Sequence, residues 1–322
     1  MTNARIAGTG AYLPEKVVTN HDLEKSMDTS DAWIRERTGI KRRHIAAAGE
    51  KTSDIGLAAA RQAIDMAGIA TPDIDLIVVG TCTPDKIFPS TACIIQRQLD
   101  LHGCPAFDVH AACSGFVYAL DIANRMIRTG GATTALVIGA ETLSRITNWE
   151  DRATAVLFGD GAGAVVLQAS DEPGIISTHI HSDGQYEDLL EVPSGVSSGY
   201  DALRAEAAYI QMNGNAVFRR AVATLGSIAR ETLAGNGIDK HDLDWLVPHQ
   251  ANLRIIAAAA KKLDMPIERV VVTVDDQANT SAASIPLALD TAVRDGRIQR
   301  GQLLLFEAFG AGFTWGSALV RF

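Results

Sequence analysis

The stretch AIDMAGIATPDIDLIVV, residues 63–79, lies over TLAGNGIDKHDLDWLVP, residues 232–248, at a constant offset of 169. Gly68 and Ile69 fall on Gly237 and Ile238, and Asp73 and Asp75 fall on Asp242 and Asp244. The same offset carries Ala119-Leu120-Asp121 onto Ala288-Leu289-Asp290. One register held across separate supersecondary units points to two similar halves, 1–172 and 173–322, with a period too long for a solenoid. Strand-like runs (DLIVV, PAFDV, ALVIGA, GAVVLQA, DWLVPH, RVVVTV, LLLFEA, SALVRF) alternate with helix-like segments such as SDIGLAAARQAIDMAG and NAVFRRAVATLGSIARETLAG. That alternation predicts an α/β protein with helices packed on mixed or parallel sheets.

The 322 residues suffice for two ordinary domains, and 47% hydrophobic with 21% charged residues is the balance of a soluble globular protein. A formal net charge of −9 supplies no long basic face for phosphate backbones, which argues against a general nucleic-acid binder. The N-terminal MTNARIAGTGAYLP lacks the apolar core of a signal peptide. No window approaches the roughly 18 apolar residues of a membrane helix, so a cytoplasmic protein is expected. Cys82, Cys93, Cys104 and Cys113 form no Cys-x-x-Cys pair and have no histidine at zinc spacing; reduced thiols and no metal are expected. His179 and His181 in STHIHSD share one side of a strand, but the pattern offers them no third ligand. GDGAGA, residues 159–164, lacks the Lys and Ser or Thr of a phosphate loop and reads as a tight backbone turn.

In DVHAACSGFVYAL, residues 108–120, Cys113 stands where strand-like PAFDV gives way to a helix. Phe116, Ala119, Leu120, Ala123, Met126 and Ile127 recur at spacings of three and four, and Gly130 supplies a stop. A sulfur at the start of that helix faces unpaired amides and the positive dipole end, which favour thiolate. A buried cysteine also serves simply as a small apolar side chain, and this segment alone leaves both readings open. At the offset of 169, Cys113 falls on Ala282 in DDQANTSAASIPLALD, and the end of DLIVVG falls on LVPHQAN. His249 and Asn279 therefore stand at strand ends in the second half as Cys113 does in the first, and ligand sites gather beyond strand carboxyl ends. Cysteine, histidine and asparagine in that order also describe papain-like proteases, with 136 residues from Cys113 to His249. The local AACSGF is not the papain signature, and internal duplication has no place in such a protease.

The combination of DVHAACSGF, LVPHQANLRII and NTSAAS, followed by FEAFGAGFTWGSALVRF, resembles the β-ketoacyl-acyl-carrier-protein synthase III family, which initiates bacterial fatty-acid synthesis. The similarity runs from GTGAYLPE through DTSDAWIRERTGI to the C-terminus. It implies the thiolase fold, a five-layer α-β-α-β-α core of two duplicated halves. It further implies that Cys113 takes an acyl group from acyl-CoA, while His249 and Asn279 hold the enolate formed as malonyl-acyl-carrier protein loses carbon dioxide. The backbone amides of Cys113 and Ala311 would bind the other oxyanion, and acyl-CoA would be a substrate with no separate cofactor. Two rival readings are an acyltransferase that loads Cys113 but uses another acceptor, and a CoA-binding paralogue without catalysis.

Trp33 and Arg37 lie four apart in SDAWIRERTG, on a helix capped by Ser30 and stopped by Gly39, so they project from one face. By the resemblance they clasp the adenine of CoA, with Thr29 and Arg152 on the nucleotide and Asn252 on the pantetheine arm. NLRIIAAAAKKL, residues 252–263, reads as a helix burying Ile255, Ile256, Ala259 and Leu263 and exposing Arg254, Lys261 and Lys262. The resemblance makes those three cations the docking patch for the acidic carrier protein. Phe88 matches a position that crosses a dimer interface into the partner's acyl pocket, so a homodimer is expected. Asp276-Gln277-Ala278 departs from the glycine-containing approach to Asn279 in many relatives, and residues 191–214 read as a mobile loop near the acyl tunnel.

Overall fold

The computed structural model describes residues 2–201 and 208–322; part of the 191–214 loop thus lies outside the described residues. From the N-terminus, β1 (Asn3–Tyr12) precedes a short antiparallel pair, β2 (Lys16–Thr19) and β3 (Arg42–Ile45), then β4 (Leu76–Gly80), β5 (Ala106–Val109), β6 (Thr134–Thr142) and β7 (Asp160–Ser170). Next come β8 (Ile175–Ser182), the two-residue partners β9 (Leu190–Glu191) and β10 (Gln211–Met212), then β11 (Trp245–Pro248), β12 (Leu303–Gly310) and β13 (Thr314–Arg321). The helices are α1 (Asn20–Leu23), α2 (Asp31–Thr38), α3 (Thr52–Ala67), α4 (Thr91–Gln98), α5 (Gly115–Arg128), α6 (Arg152–Ala155), α7 (Gly214–Asn236), α8 (Leu253–Lys262), α9 (Val274–Gln277) and α10 (Ser284–Arg294). Among the described residues no helix is long and apolar enough to cross a membrane.

Two mixed sheets form the frame. The first has the order β1-β7-β6-β4-β5, the second β8-β13-β12-β11. Strand alternation assigns each sheet two buried faces. Leu76, Val78, Val137 and Val165 of the first sheet meet α5, α10 and the second sheet's Val247, Leu304, Phe306 and Val320 in one central cluster. Ile77, Val79, Ile138 and Val166 face the other way, onto α3 and α4. Leu246, Leu305 and Leu319 likewise turn outward onto α7 and α8. The result is α-β-α-β-α, with α5 and α10 as the middle layer.

Hydrogen bonds between side chains and neighbouring elements follow the offset seen in the sequence. Asp75 accepts from the Thr134 amide at 3.0 Å, and Asp244 accepts from the Leu303 amide at 2.7 Å. Thr9 on β1 donates to Asp290 on α10 at 2.7 Å, while Thr178 on β8 donates to Asp121 on α5. Arg125 and Arg294 pair with those two aspartates at 2.8 and 3.2 Å. Each threonine reaches the helix of the opposite sheet's chain segment, so the two units are cross-tied through buried carboxylates.

Two expectations need correction. RVVVTV forms no full strand: its one ladder contact is the Leu246–Val270 bridge. The buried Gln250 side chain takes its place, donating to Val271 O at 3.0 Å and accepting from the Thr273 and Val274 amides at 2.8 and 3.1 Å. Backbone groups satisfied by a side chain need no neighbouring strand. GDGAGA is not a turn but the start of β7, where α10 packs so closely that a Cβ on Gly163 would lie 2.6 Å from the Leu287 amide nitrogen.

Glycine does comparable work on β6, where a Cβ on Gly139 would sit 2.2 Å from Ala282 O. Replacing Gly139 with Ala must push back the turn that follows Asn279. We expect a loss of about 2 kcal/mol or more in a denaturant melt, as overpacked cores show, together with loss of condensing activity.

Candidate active site

Cys113 sits in a single 3-10 turn, Ala112–Ser114, between β5 and α5. Ala112 carries φ +43°, a left-handed conformation that an L-residue holds only when its surroundings impose it. The clamp comes from β13: Ser114 Oγ donates to Thr314 O at 3.0 Å, and Thr314 Oγ1 reaches Ala111 O at 2.9 Å and Ala311 O at 3.1 Å. Gly310 lies so near that a Cβ there would stand 2.7 Å from the Cys113 amide nitrogen.

Cys113, His249 and Asn279 all line one cavity of about 1340 Å³, joined by Ala311, Asn252 and Arg254. His249 follows β11 and is 4% exposed; its amide donates to Glu307 O at 2.8 Å, and its Nδ1 lies 2.6 Å from Ser284 Oγ. Asn279 is pinned on both backbone sides, donating to Leu157 O and accepting from the Gly159 amide, each at 3.0 Å. Its Oδ1 accepts from the Ser281 amide at 2.9 Å, which leaves the two Nδ2 donors as the chemistry it can offer the cavity. Ala278 just before it has φ +58°, a conformation that favours glycine and that an L-residue holds only where its surroundings impose it.

The electrostatics differ from the helix-terminus expectation. Burial pushes the Cys113 thiol up to about 12; Glu141 adds to this, and Ser281 and the cysteine's own amide only partly offset it. The turn ahead of α5 does not make a resting thiolate, because desolvating the sulfur outweighs a helix dipole worth a fraction of that cost. Burial drives His249 down to about 3, so the imidazole is neutral. Beneath the site, Glu141 is wholly buried and receives Thr81 Oγ1, Thr83 Oγ1, the Cys82 amide and thiol, and Ser281 Oγ. Burial raises its carboxyl, and those donors pull it back.

The remaining predicted positions fall into three groups. Trp33 and Arg37 project from α2, capped by Ser30 and ended at Gly39 with φ +80°. Arg37 stands 5.6 Å and Arg152 4.8 Å from the Trp33 ring centroid, so both guanidiniums stack on the indole. Thr29 precedes this helix, and its Oγ1 is buried without a hydrogen-bond partner. Asn252 caps α8 by accepting from the Arg254 amide at 2.8 Å and donates to Arg37 O at 3.1 Å, which ties the stacked group to the cavity wall. Arg254 is exposed at the cavity rim with its guanidinium 5.1 Å from the Phe218 ring, whereas Lys261 and Lys262 lie at the far end of α8, away from the lining. Phe88 is 82% exposed and does not line the cavity within this chain. Val192, Val196, Tyr209, Ile210 and Met212 of the 191–214 segment do line it. His179 and His181 both turn to Glu231, at 3.4 and 2.9 Å.

Sequence reasoning passed over Glu141, Ser281 and Ser284. The offset that pairs Cys113 with Ala282 reaches two of them, pairing Ala112 with Ser281 and Gly115 with Ser284; in the structure Ala112 and Ser281 both carry left-handed φ, +43° and +50°.

Comparison with known proteins gives the family of the chain. Residues 107–184 match the model of 3-oxoacyl-[acyl-carrier-protein] synthase III, and residues 233–322 match that of its C-terminal region. The chain is 65% identical to β-ketoacyl-[acyl-carrier-protein] synthase III of Thioalkalivibrio sulfidiphilus over 322 residues, covering 100% of both chains. It is 63% identical to the Alkalilimnicola ehrlichii protein of the same name, again over 100% of both. The crystal structure of 3-oxoacyl-[acyl-carrier-protein] synthase III from Aquifex aeolicus superposes with a TM-score of 0.93 at 47% identity, over 100% of each chain. Full-length identity at this level, on a shared thiolase fold, shows that the chain belongs to the β-ketoacyl-[acyl-carrier-protein] synthase III family of condensing acyltransferases.

Proposed function

We propose that this chain condenses an acyl-CoA primer with malonyl-acyl-carrier protein to start a fatty-acid chain, using Cys113, His249 and Asn279. The observation that carries the reading is that these three side chains, from three separate turns, line one largely apolar cavity. In loading, the Cys113 sulfur attacks the thioester carbonyl, the carbon–sulfur bond to CoA breaks, and the cysteine proton ends on the CoA thiol. Because the resting thiol is held up to about 12, proton loss accompanies attack. The amides of Cys113 and Ala311 hold the tetrahedral oxyanion. In condensation, malonyl-acyl-carrier protein releases carbon dioxide and its bonding electrons pass into an enolate, whose oxygen takes hydrogen bonds from His249 and Asn279. The enolate carbon attacks the Cys113 thioester, the acyl–sulfur bond breaks, and the sulfur takes up a proton; 3-oxoacyl-carrier protein departs.

The same reading assigns CoA to the Trp33, Arg37 and Arg152 group with Thr29 beside it, and the pantetheine arm to the Asn252 side of the cavity. The stacked cations around Trp33 support it, since a purine can exchange with a guanidinium on an indole face. Duplicated halves 1–172 and 173–322 belong to the proposal; matched strand order and the cross-tying aspartates support them. So does a homodimer in which exposed Phe88 is covered by the partner, and a cytoplasmic setting consistent with free Cys82, Cys93, Cys104 and Cys113.

Intact-protein mass after mixing with acetyl-, isobutyryl- or octanoyl-CoA tests the central step. Wild type should gain the acyl mass and lose it to malonyl-acyl-carrier protein as 3-oxoacyl product, while Cys113→Ala should gain none; an adduct that malonyl-acyl-carrier protein leaves untouched sinks the condensing role. Charge reversal at Arg254 and Lys261 should raise KM for malonyl-acyl-carrier protein roughly tenfold or more and spare loading, and equal loss of both would count against docking there. Since His249 is held far below the ordinary histidine value, it stays neutral above about pH 5. Condensation by preloaded enzyme should therefore show no limb near pH 6.5, and a limb there that vanishes in His249→Gln would contradict the buried neutral imidazole.

A further inference from the structure

A neutral imidazole helps an enolate oxygen only if its cavity-facing nitrogen carries the proton. Nothing in the ring itself guarantees this, because the proton can sit on either nitrogen, and the partner of the other one decides. In this chain that partner is the hydroxyl of Ser284, 2.6 Å from His249 Nδ1 and 1% exposed at the first residue of α10.

The direction of the bond follows from a count of donors and acceptors. Ser284 Oγ already accepts from the Gln250 amide at 3.3 Å. Its own hydrogen, buried away from water, needs an acceptor, and among the described residues only His249 Nδ1 is within reach. An unmade bond there would leave a buried donor unsatisfied, at roughly 1–3 kcal/mol. The hydroxyl therefore donates to Nδ1, and the ring proton goes to Nε2. Among the described residues no side chain or backbone group bonds Nε2, and the ring lines the cavity.

The offset of 169 adds an independent observation. It places His249 on Gly80 and Ser284 on Gly115. Those two glycines touch through bare backbone: a Cβ on Gly80 would lie 2.6 Å from Gly115 C. The same junction of strand end and helix start thus occurs twice, once closed by two glycines and once opened to hold a hydrogen-bonded pair of side chains. Packing alone is satisfied by glycine, so the pair in the second half answers to something other than packing.

We propose that Ser284 is a positioning residue that fixes the His249 tautomer with its proton on Nε2, aimed at the enolate oxygen during decarboxylation. Ser284 touches no substrate; it acts through His249. The inference rests on the condensing role proposed above, and it predicts a split between the two half-reactions, because loading of Cys113 uses backbone amides and not the imidazole proton.

The test combines 15N spectra of the imidazole, assigned against His249→Gln, with half-reaction kinetics. Wild type should show one tautomer protonated at Nε2. Ser284→Ala should show a tautomer mixture, load acyl groups on Cys113 at the wild-type rate, and decarboxylate malonyl-acyl-carrier protein on the order of tenfold more slowly or worse. Ser284→Thr keeps the hydroxyl and should restore both signals, which controls for a general packing defect. A wild-type ring protonated at Nδ1 overturns the proposal, as does a Ser284→Ala variant in which loading and decarboxylation fall together. The spectrum reads the tautomer without turnover, so a wild-type enzyme that failed to condense would count against the functional reading and leave the tautomer assignment standing or falling by its own signal.

Discussion

Close backbone contact between sheet ends and helix starts is the constraint on which the rest of this structure depends. Gly80, Gly139 and Gly310 each stand where a single methyl group would collide with main chain from another element, at 2.6, 2.2 and 2.7 Å. Those contacts bring the turns at Ala112–Ser114 and Ser281–Ala283 against the strand ends. Both turns contain a residue in the left-handed region, and the cost of that conformation is offset by bonds to β13, Glu141 and the 157–159 segment. Under the proposed mechanism, a cysteine and an asparagine amide held at strained, clamped turns lose little freedom when a substrate arrives.

Burial then sets the chemistry. The same dry surroundings raise the Cys113 thiol to about 12 and lower the His249 imidazole to about 3, so the resting site is uncharged at both. An uncharged resting site suits the proposed reaction, whose charge appears only in transit, first on a tetrahedral oxygen and then on an enolate. Fixed donors in low dielectric stabilise that transient charge far more than they would in water. Glu141 shows the complementary arrangement: a carboxyl beneath the cysteine is tolerated because three hydroxyls, an amide and a thiol converge on it.

The α/β class, most strands, the helix carrying Trp33 and Arg37, and the buried face of α8 were legible because each depends on period and capping within a short window. RVVVTV misled for an equally local reason. Its β-branched run favours a strand, but Gln250, about twenty positions earlier, occupies its backbone groups. GDGAGA misled because glycine marks a turn in isolation, and only the approach of α10 reveals that its glycines clear space for a neighbouring helix.

What the sequence carried by itself was the set of matches at an offset of 169, and with it the expectation that Cys113, His249 and Asn279 end three comparable segments. Spacing and motif suffice for that, since they are properties of the chain. The protonation of the cysteine and histidine, the direction in which Asn279 presents its amide, and the hydroxyl that orders the imidazole were decided only by the tertiary structure. Each is set by the burial and partners of one atom, and those partners come from elements far apart along the chain.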